Sequence, residues 1–356
     1  MLKKNPNWCY YNSEKRDILE NSLKKVYPFK GDISFYHPLL NLYSKTNLHK
    51  KRINHKYLAT EIGPTIHKIN ESARIVKMSI EINKDRNISQ WRKVFIKEIP
   101  LIPLRHTGLL ERAKIAPLRN KMSNFLIFGS LFSIENSAYV EQLSSFLCSN
   151  LVENNHSIHF PYYYGSCSGI FKTFTFVESD TSSIRHNVDT LPSGYKMDNN
   201  GNSKLSIKVP KLPVQLLMLE NVDICLGDII DNKPYCRDEW LSYIFQIMAA
   251  LSIVQSRYKL IHNDLHIGNV MCKYTKRKYL YYKNNDGMYY KIPTYGRIVK
   301  IVDWGRALLE LPSRKIWNNC FNLDFDVFGQ YFPKSEMLSQ KEVVNENFSF
   351  DMTIFS

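Results

Sequence analysis

The 356-residue chain carries 48 Lys and Arg against 33 Asp and Glu, a formal net charge of +15, and is 44% hydrophobic. That apolar content can build a real core, and the length suits one large bilobed domain or two ordinary ones. No apolar run approaches a membrane span, Met1-Leu2-Lys3-Lys4-Asn5-Pro6 lacks the apolar stretch of a secretion signal, and seven scattered cysteines with no Cys-x-x-Cys suggest neither a disulfide framework nor a zinc site.

A reducing, intracellular and cytoplasmic setting is therefore expected. The positive charge favours acidic partners. The lysines are dispersed, however, and neither an aromatic RNP motif nor a zinc finger occurs, so nucleic acid is not expected as the primary partner.

Residues 1–56 read as a basic extension. Within it, Ser13–Val26 has a plausible N-cap in Ser13 and places Ile18, Leu19, Ser22, Leu23 and Val26 on one face, which predicts a helix. From residue 57 the pattern turns to strands: 65–69 and 74–80 are rich in β-branched residues, with Asn70-Glu71-Ser72-Ala73 as a turn between them. A third strand, Val94-Phe95-Ile96-Lys97 with its flank, ends near Pro100. Residues 100–133 read as an insertion. A helix is predicted over 136–151, capped by Asn136 or Ser137 and striped by Tyr139, Val140, Leu143, Phe146, Leu147 and Leu151. Glu141 lies off the centre of that stripe.

The run 171–177 alternates cleanly and predicts a half-buried strand; 179–211 is polar and reads as an exposed loop with a turn at Asn199-Asn200-Gly201-Asn202. Gln215-Leu216-Leu217-Met218-Leu219 reads as a buried strand running into the short polar link Glu220-Asn221-Val222-Asp223, the pattern of a hinge. The clearest helix spans 238–258, with Asp238 and Glu239 at its positive end and Trp240, Leu241, Ile244, Ile247, Met248, Leu251 and Val254 on its expected buried side. Tyr-rich segments flank Asn284-Asn285-Asp286-Gly287, a hairpin signal, and 297–302 predicts another strand.

The chemistry is concentrated in two stretches. In Leu260-Ile261-His262-Asn263-Asp264-Leu265-His266-Ile267-Gly268-Asn269-Val270, the carboxylate of Asp264 stands five residues before the amide of Asn269. In Ile301-Val302-Asp303-Trp304-Gly305 a second carboxylate ends a strand. Apolar residues bracket both clusters, which suggests loops at the ends of buried elements. One carboxylate to orient a hydroxyl, with an Asn and an Asp as oxygen ligands for magnesium, is the equipment of phosphoryl transfer.

These residues resemble the protein-kinase-like superfamily. His262-Asn263-Asp264-Leu265-His266-Ile267-Gly268-Asn269 matches its His-x-Asp-x-x-x-x-Asn loop, Asp303-Trp304-Gly305 resembles its Asp-Phe-Gly, and Val94-Phe95-Ile96-Lys97 matches its Val-Ala-Ile-Lys strand. The Asn263, His266 and Trp304 variants look like the divergent, serine/threonine-type kinases of large DNA viruses, and His-x-Asp-Leu-His is also common among aminoglycoside and choline phosphotransferases. The resemblance covers roughly residues 57–331. It implies an α+β bilobed fold: an N-lobe over 57–223 with insertions, its sheet mostly antiparallel, and an abbreviated helical C-lobe over 224–356.

It also implies ATP and Mg2+ as cofactors. Asp264 would orient the acceptor hydroxyl, Asn269 and Asp303 would hold the metal, and His266 would approach the transferred phosphate. Lys97 would neutralise the α- and β-phosphates, held by Glu141 (or Glu135), and backbone groups of Glu220 and Val222 would receive the adenine. Serine or threonine of a protein is the expected acceptor, with a small-molecule hydroxyl as the alternative. The turn at 70–73 lacks the glycines of a phosphate-covering loop, and no Ala-Pro-Glu follows Asp303. Both departures favour a further alternative, a pseudokinase that acts as a nucleotide-binding or interaction module without turnover.

Overall fold

The computed structural model describes residues 13–35, 56–83, 88–102, 133, 135–177, 196–200, 204–232, 234, 236–284, 286–311, 314–317 and 349–355. The insertion expected at 100–133 and the loop at 179–195 fall almost wholly outside these residues, as does most of the basic extension. The chain is α+β and divides into two compact units. Among the described residues, the first takes those up to 35, 56–138 and 164–220; the second takes 139–163 and those from 221 on.

The first unit is built on a seven-stranded sheet. In chain order its strands are β1 (Phe29–Ser34), β2 (Leu58–Asn70), β3 (Ala73–Asn83), β4 (Ile88–Pro100), β5 (Tyr163–Phe176), β6 (Lys196–Asn200) and β7 (Lys204–Glu220). Spatially they run β1-β5-β7-β4-β3-β2, with β6 also beside β7. β2 and β3 close at Asn70 opposite Ala73, where the Ser72 N–H donates to Asn70 Oδ1 at 2.8 Å. The turn is thus an Asn side-chain turn, the local chemistry its sequence predicts. The Glu98 N–H donates to the Ser72 carbonyl at 2.7 Å and ties the tip to β4.

The loop expectation for 179–211 is overturned at its C-terminal end. Residues 196–200 pair with 204–208 as an antiparallel hairpin, and β7 continues as a strand through 211. Strand pairing satisfies their backbone whatever their polarity, which a hydrophobicity reading does not weigh.

Helix α1 (Ser13–Val26) has the predicted bounds and packs on β2, and its Leu19 and Leu23 are fully buried. Ser22 Oγ accepts the Ile62 N–H at 3.2 Å, which explains a serine on the buried face. Ile18, expected there, is 45% exposed. Following α1, the Tyr27 ring covers the Arg74 guanidinium, whose Nη2 pairs with Glu98. Burial pushes the Glu98 carboxyl above its usual range, and Arg74 opposes that shift.

The second unit contains most of α2 (Ser137–Glu153), then α3 (Leu226–Asn232), α4 (Arg237–Tyr258) and α5 (Phe350–Phe355). Asn136 Oδ1 accepts the Ala138 N–H at 3.0 Å and starts α2 as a cap should. A three-stranded sheet of order β12-β9-β8 uses β8 (Ile224–Cys225), β9 (Val270–Tyr274) and β12 (Arg297–Ile301). Strands β10 (Tyr279–Lys283) and β11 (Tyr289–Pro293) form the predicted hairpin, and β13 (Leu308–Leu311) with β14 (Arg314–Trp317) forms another.

Helix α4 buries Ile247, Leu251 and Val254 as predicted, but its buried face is shifted toward polar residues. Leu241 and Met248, expected inside, are each 52% exposed, while Glu239, Ser242, Tyr243 and Gln246 are buried. The buried polar groups are matched by partners on the following strands. Arg297 Nη1 pairs with Glu239 at 2.8 Å and donates to the Tyr243 hydroxyl at 3.1 Å; the Val299 N–H donates to Gln246 Oε1 at 2.9 Å; Ser242 Oγ donates to the Pro293 carbonyl. Satisfied hydrogen bonds remove the penalty that would otherwise keep these side chains at the surface.

Candidate active site

The site is assembled in the second unit where α4 hands the chain to a loop. Lys259, in the left-handed conformation (φ 51°), ends the helix and donates its N–H to the Gln255 carbonyl at 3.0 Å. Leu260 and Ile261 are then buried, and Ile261 exchanges both backbone hydrogen bonds with Leu308 at 2.9 Å. That bridge fixes the loop's entry. Its exit is fixed by a single 3-10 turn over Ile267–Asn269 leading straight into β9.

Because β9 and β12 pair antiparallel with Val270 opposite Ile301, Asn269 and Asp303 emerge at the same end of the ladder. The Val302 N–H donates to the Asn269 carbonyl at 3.0 Å and continues the pairing one step beyond the strands. Asn269 Nδ2 donates to the Asp264 backbone carbonyl at 2.9 Å and reaches Asp264 Oδ2 at 3.5 Å. The amide nitrogen is therefore spent on holding the loop, and the amide oxygen is the atom that suits a cation. Asp303 is half-buried, with φ 64°. A non-glycine residue in that region carries backbone strain, which clusters at functional sites.

His262 is fully buried and fixes the loop rather than facing solvent. Its Nδ1 accepts the Asp264 N–H at 3.3 Å, so the ring proton sits on Nε2, which donates to the Val302 carbonyl at 2.8 Å. Its ring packs on Trp304 with centroids 4.6 Å apart. His266 is exposed; its Nδ1 accepts the Gly268 N–H at 3.1 Å and caps the 3-10 turn.

Two contributors were missed by the sequence reading. Asp351, on α5, accepts the His262 N–H through Oδ2 at 2.9 Å and the Asn263 N–H through Oδ1 at 2.8 Å. It is fully buried, and burial pushes its carboxyl above the usual range, opposed by His262 and the two N–H bonds. The second is Arg306, whose Nη1 lies 2.6 Å from Asp264 Oδ1. Asn263, at φ 63°, donates its amide to the Arg306 carbonyl at 3.1 Å and so holds the arginine's backbone beside the loop. The available signal for Arg306 was a cation three residues after Asp303. Nothing local marks Asp351, because its partners precede it by 88 and 89 positions.

Lys97 belongs to the first unit. It lies half-buried on β4, opposite Ala73 on one side and Leu217 on the other. Glu220 is the last residue of β7 and is buried, with Val94 opposite it. Glu141, on α2, belongs to the second unit and is 2% exposed, so it is not a surface glutamate. Val222 follows the unit boundary and is also buried. Glu135 is half-buried just before α2.

The donor set fits magnesium by its chemistry: a carboxamide oxygen and a carboxylate, both hard ligands, at one end of one ladder. Among the described residues there is no cluster of three or more His, Cys, Asp or Glu side chains that could hold a metal by itself. A magnesium site here would take its remaining ligands from phosphate and water, as is usual for that ion.

No family model matches the chain. Segments of it are similar to known proteins. A probable serine/threonine-protein kinase of Dictyostelium discoideum is 29% identical over 121 residues, which is 32% of this chain and 10% of that protein. The uncharacterized protein 098R of Invertebrate iridescent virus 6 is 39% identical over 72 residues, 19% of this chain and 12% of the viral one. The serine/threonine-protein kinase haspin of Bos taurus is 41% identical over 69 residues, 19% of this chain and 9% of haspin. The matched segments thus span about a tenth of these relatives' lengths. They support a kinase-like relationship and suggest a phosphotransferase.

Proposed function

We propose that the chain is an ATP- and Mg2+-dependent phosphotransferase of bilobed, protein-kinase-like fold, with serine or threonine of a protein as acceptor. The observation that carries this reading is the ladder end that presents Asn269 and Asp303 together while Asn269 holds the Asp264 backbone. Asp264 accepts a hydrogen bond from the acceptor hydroxyl and aligns it for attack. The Asn269 amide oxygen and the Asp303 carboxylate hold magnesium, which when bound neutralises charge on the phosphates. Lys97 contacts the α- and β-phosphates. The backbone at Glu220 and Val222 receives the adenine, and His266 lies near the transferred phosphate. The partial similarity to serine/threonine kinases supports a protein acceptor over a small molecule.

One observation favours a second reading, nucleotide binding without turnover. The β2–β3 turn has no glycine and satisfies the Ser72 N–H internally through Asn70, so that amide is not offered to phosphate. A thermal-shift titration with ATP and Mg2+, joined to transfer of radiolabelled phosphate to generic protein acceptors, separates the two. Wild-type protein is expected to bind and transfer, Asp264→Asn to bind without transfer, and Asp303→Asn to lose the Mg2+-dependent shift. Binding without transfer by the wild type selects the second reading, and transfer that survives Asp264→Asn overturns the proposed role of Asp264.

A further inference from the structure

The β10–β11 hairpin takes no part in the site just described. Its register sets Leu280 opposite Ile292 and Tyr282 opposite Tyr290 on one face. That face is anchored. Leu280 is buried, Phe245 of α4 packs on Tyr282 and Tyr290 with centroids 5.1 and 5.8 Å away, and the Tyr282 hydroxyl bonds His159 Nε2 at 2.8 Å with the two rings stacked. Strand alternation then forces Tyr279, Tyr281 and Lys283 of β10, with Tyr289 and Lys291 of β11, onto the opposite face. There Tyr281 and Tyr289 are each 63% exposed and Tyr279 is 42% exposed. Tyr281 sits directly across from Lys291, and Lys283 directly across from Tyr289. The Lys291 ammonium lies 4.1 Å from the Tyr279 ring centroid.

This exposed face alternates aromatic rings and ammonium groups and is anchored from behind through Leu280, Tyr282 and Tyr290. Its charge is one-sided: from Lys273 to Lys291 there are five lysines and Arg277 against the single acid Asp286. The occupant must therefore be an anion that also offers flat surfaces. We propose that this face binds single-stranded nucleic acid, with bases stacked on Tyr279, Tyr281 and Tyr289 and backbone phosphates held by Lys283 and Lys291.

Three features favour that ligand. Rings two residues apart on a strand are about 7 Å apart, close enough for neighbouring unstacked bases to use successive rings. Base stacking on aromatic side chains and phosphate contact by lysine are the two interactions that bind single strands without sequence preference. An acidic peptide would use the lysines but leave the rings idle, and a duplex keeps its base faces closed. This site extends the sequence-based expectation, in which nucleic acid was set aside for want of a known motif. The aromatic–basic pattern appears only once strand register separates the outward tyrosines from the buried ones.

The test uses the full chain and fluorescence anisotropy with fluorescein-labelled 12-nucleotide oligo-dT and oligo-U, a 12-base-pair duplex, and a 12-residue polyglutamate peptide. Single strands are expected to bind at least tenfold more tightly than the duplex or the peptide. Tyr281→Ala and Tyr289→Ala are expected to weaken single-strand binding about tenfold each, and Tyr281→Phe to retain it. Losing both Lys283 and Lys291 is expected to flatten the logarithmic salt dependence by about 1.4. These side chains are outward-facing, and an unchanged Tm certifies the fold of each variant. Absence of single-strand binding, equal or tighter binding of the duplex or the peptide, or full affinity in the doubly alanine-substituted tyrosine variant would each overturn the proposal.

Discussion

The Asp351 carboxylate accepts the His262 N–H at 2.9 Å, so a residue 89 positions downstream sets the backbone of the loop that carries Asp264. Its other oxygen takes the Asn263 N–H, and Asn263 is one of the non-glycine residues held at positive φ. A strained loop persists only where its surroundings over-determine it, and a buried carboxylate gripping two consecutive N–H groups does so. Asp351→Ala leaves both N–H groups buried and unsatisfied. It is expected to lower unfolding free energy by about 2–4 kcal/mol. Asp351→Asn keeps one acceptor but turns an amide toward the other N–H, and is expected to cost about 1–3 kcal/mol. Urea denaturation of the three proteins checks the ranking.

The Arg306–Asp264 pair leads to a different expectation. Both side chains are partly exposed, at 28% and 14%, so the pair contributes little to stability, about 1 kcal/mol or less. Its effect falls on where the Asp264 carboxylate points. On the proposed function, Arg306→Ala is expected to reduce phosphate transfer by about tenfold to a hundredfold, because misplacement of a reacting group by about 1 Å has that effect. The ATP–Mg2+ thermal shift should remain. Arg306→Lys keeps the charge but not the guanidinium geometry and is expected to recover only part of the rate. An equal loss of ATP binding and transfer would count against a positioning role.

The inward polar face of α4 makes a contrast that a stability measurement can read. Gln246 is the acceptor for the Val299 N–H, and both are buried. Gln246→Leu, although apolar and of similar size, strands that N–H and is expected to destabilise by about 1–3 kcal/mol. Leu241→Gln and Met248→Gln replace apolar side chains that are half exposed and should change stability by no more than about 0.5 kcal/mol. Hydrophobic periodicity alone predicts the opposite order. Denaturant midpoints of the three variants decide between them.

That inversion shows what was legible in the sequence. Ser13–Val26 was recovered to the residue, and the β2–β3 turn and the β10–β11 hairpin were recovered in place, because caps, Asn turns and Asp-Gly signals act within a few residues. The Asp264 to Asn269 spacing and the Asp303 strand end were equally local. What escaped was set by partners far along the chain. Leu241 looked buried and Gln246 did not, until the Val299 N–H of β12 called for an acceptor that Gln246 Oε1 supplies. Asp351 carries no local mark of its role, which is set by the His262 and Asn263 N–H donors far upstream. Arg306 was one more cation in a basic chain until the turn after Asp303 brought it onto Asp264. Periodicity weighs each side chain against water, whereas the fold weighs it against whichever group topology delivers.

His159 gives a pH dependence whose sign can be worked out. It is buried at the edge of the second unit's sheet, with Nδ1 bonded to the Val299 carbonyl at 2.8 Å, and its carbonyl accepts the Ile301 N–H two residues before Asp303. Burial holds its imidazole down to about 4, against an ordinary value of 6.5, with nearby Lys300 acting in the same direction. Between those values the unfolded chain binds a proton that the folded protein refuses. Stability attached to His159 is therefore fully present above about pH 6.5 and is lost as pH falls through about 4, by about 3 kcal/mol. The urea midpoint of the wild type should drop across that window. His159→Gln, lower in stability at neutral pH because it forfeits part of the hydrogen bonding to Val299 and Tyr282, should show a flatter profile through the same window. Parallel profiles for the two proteins would show that another group carries the acid sensitivity.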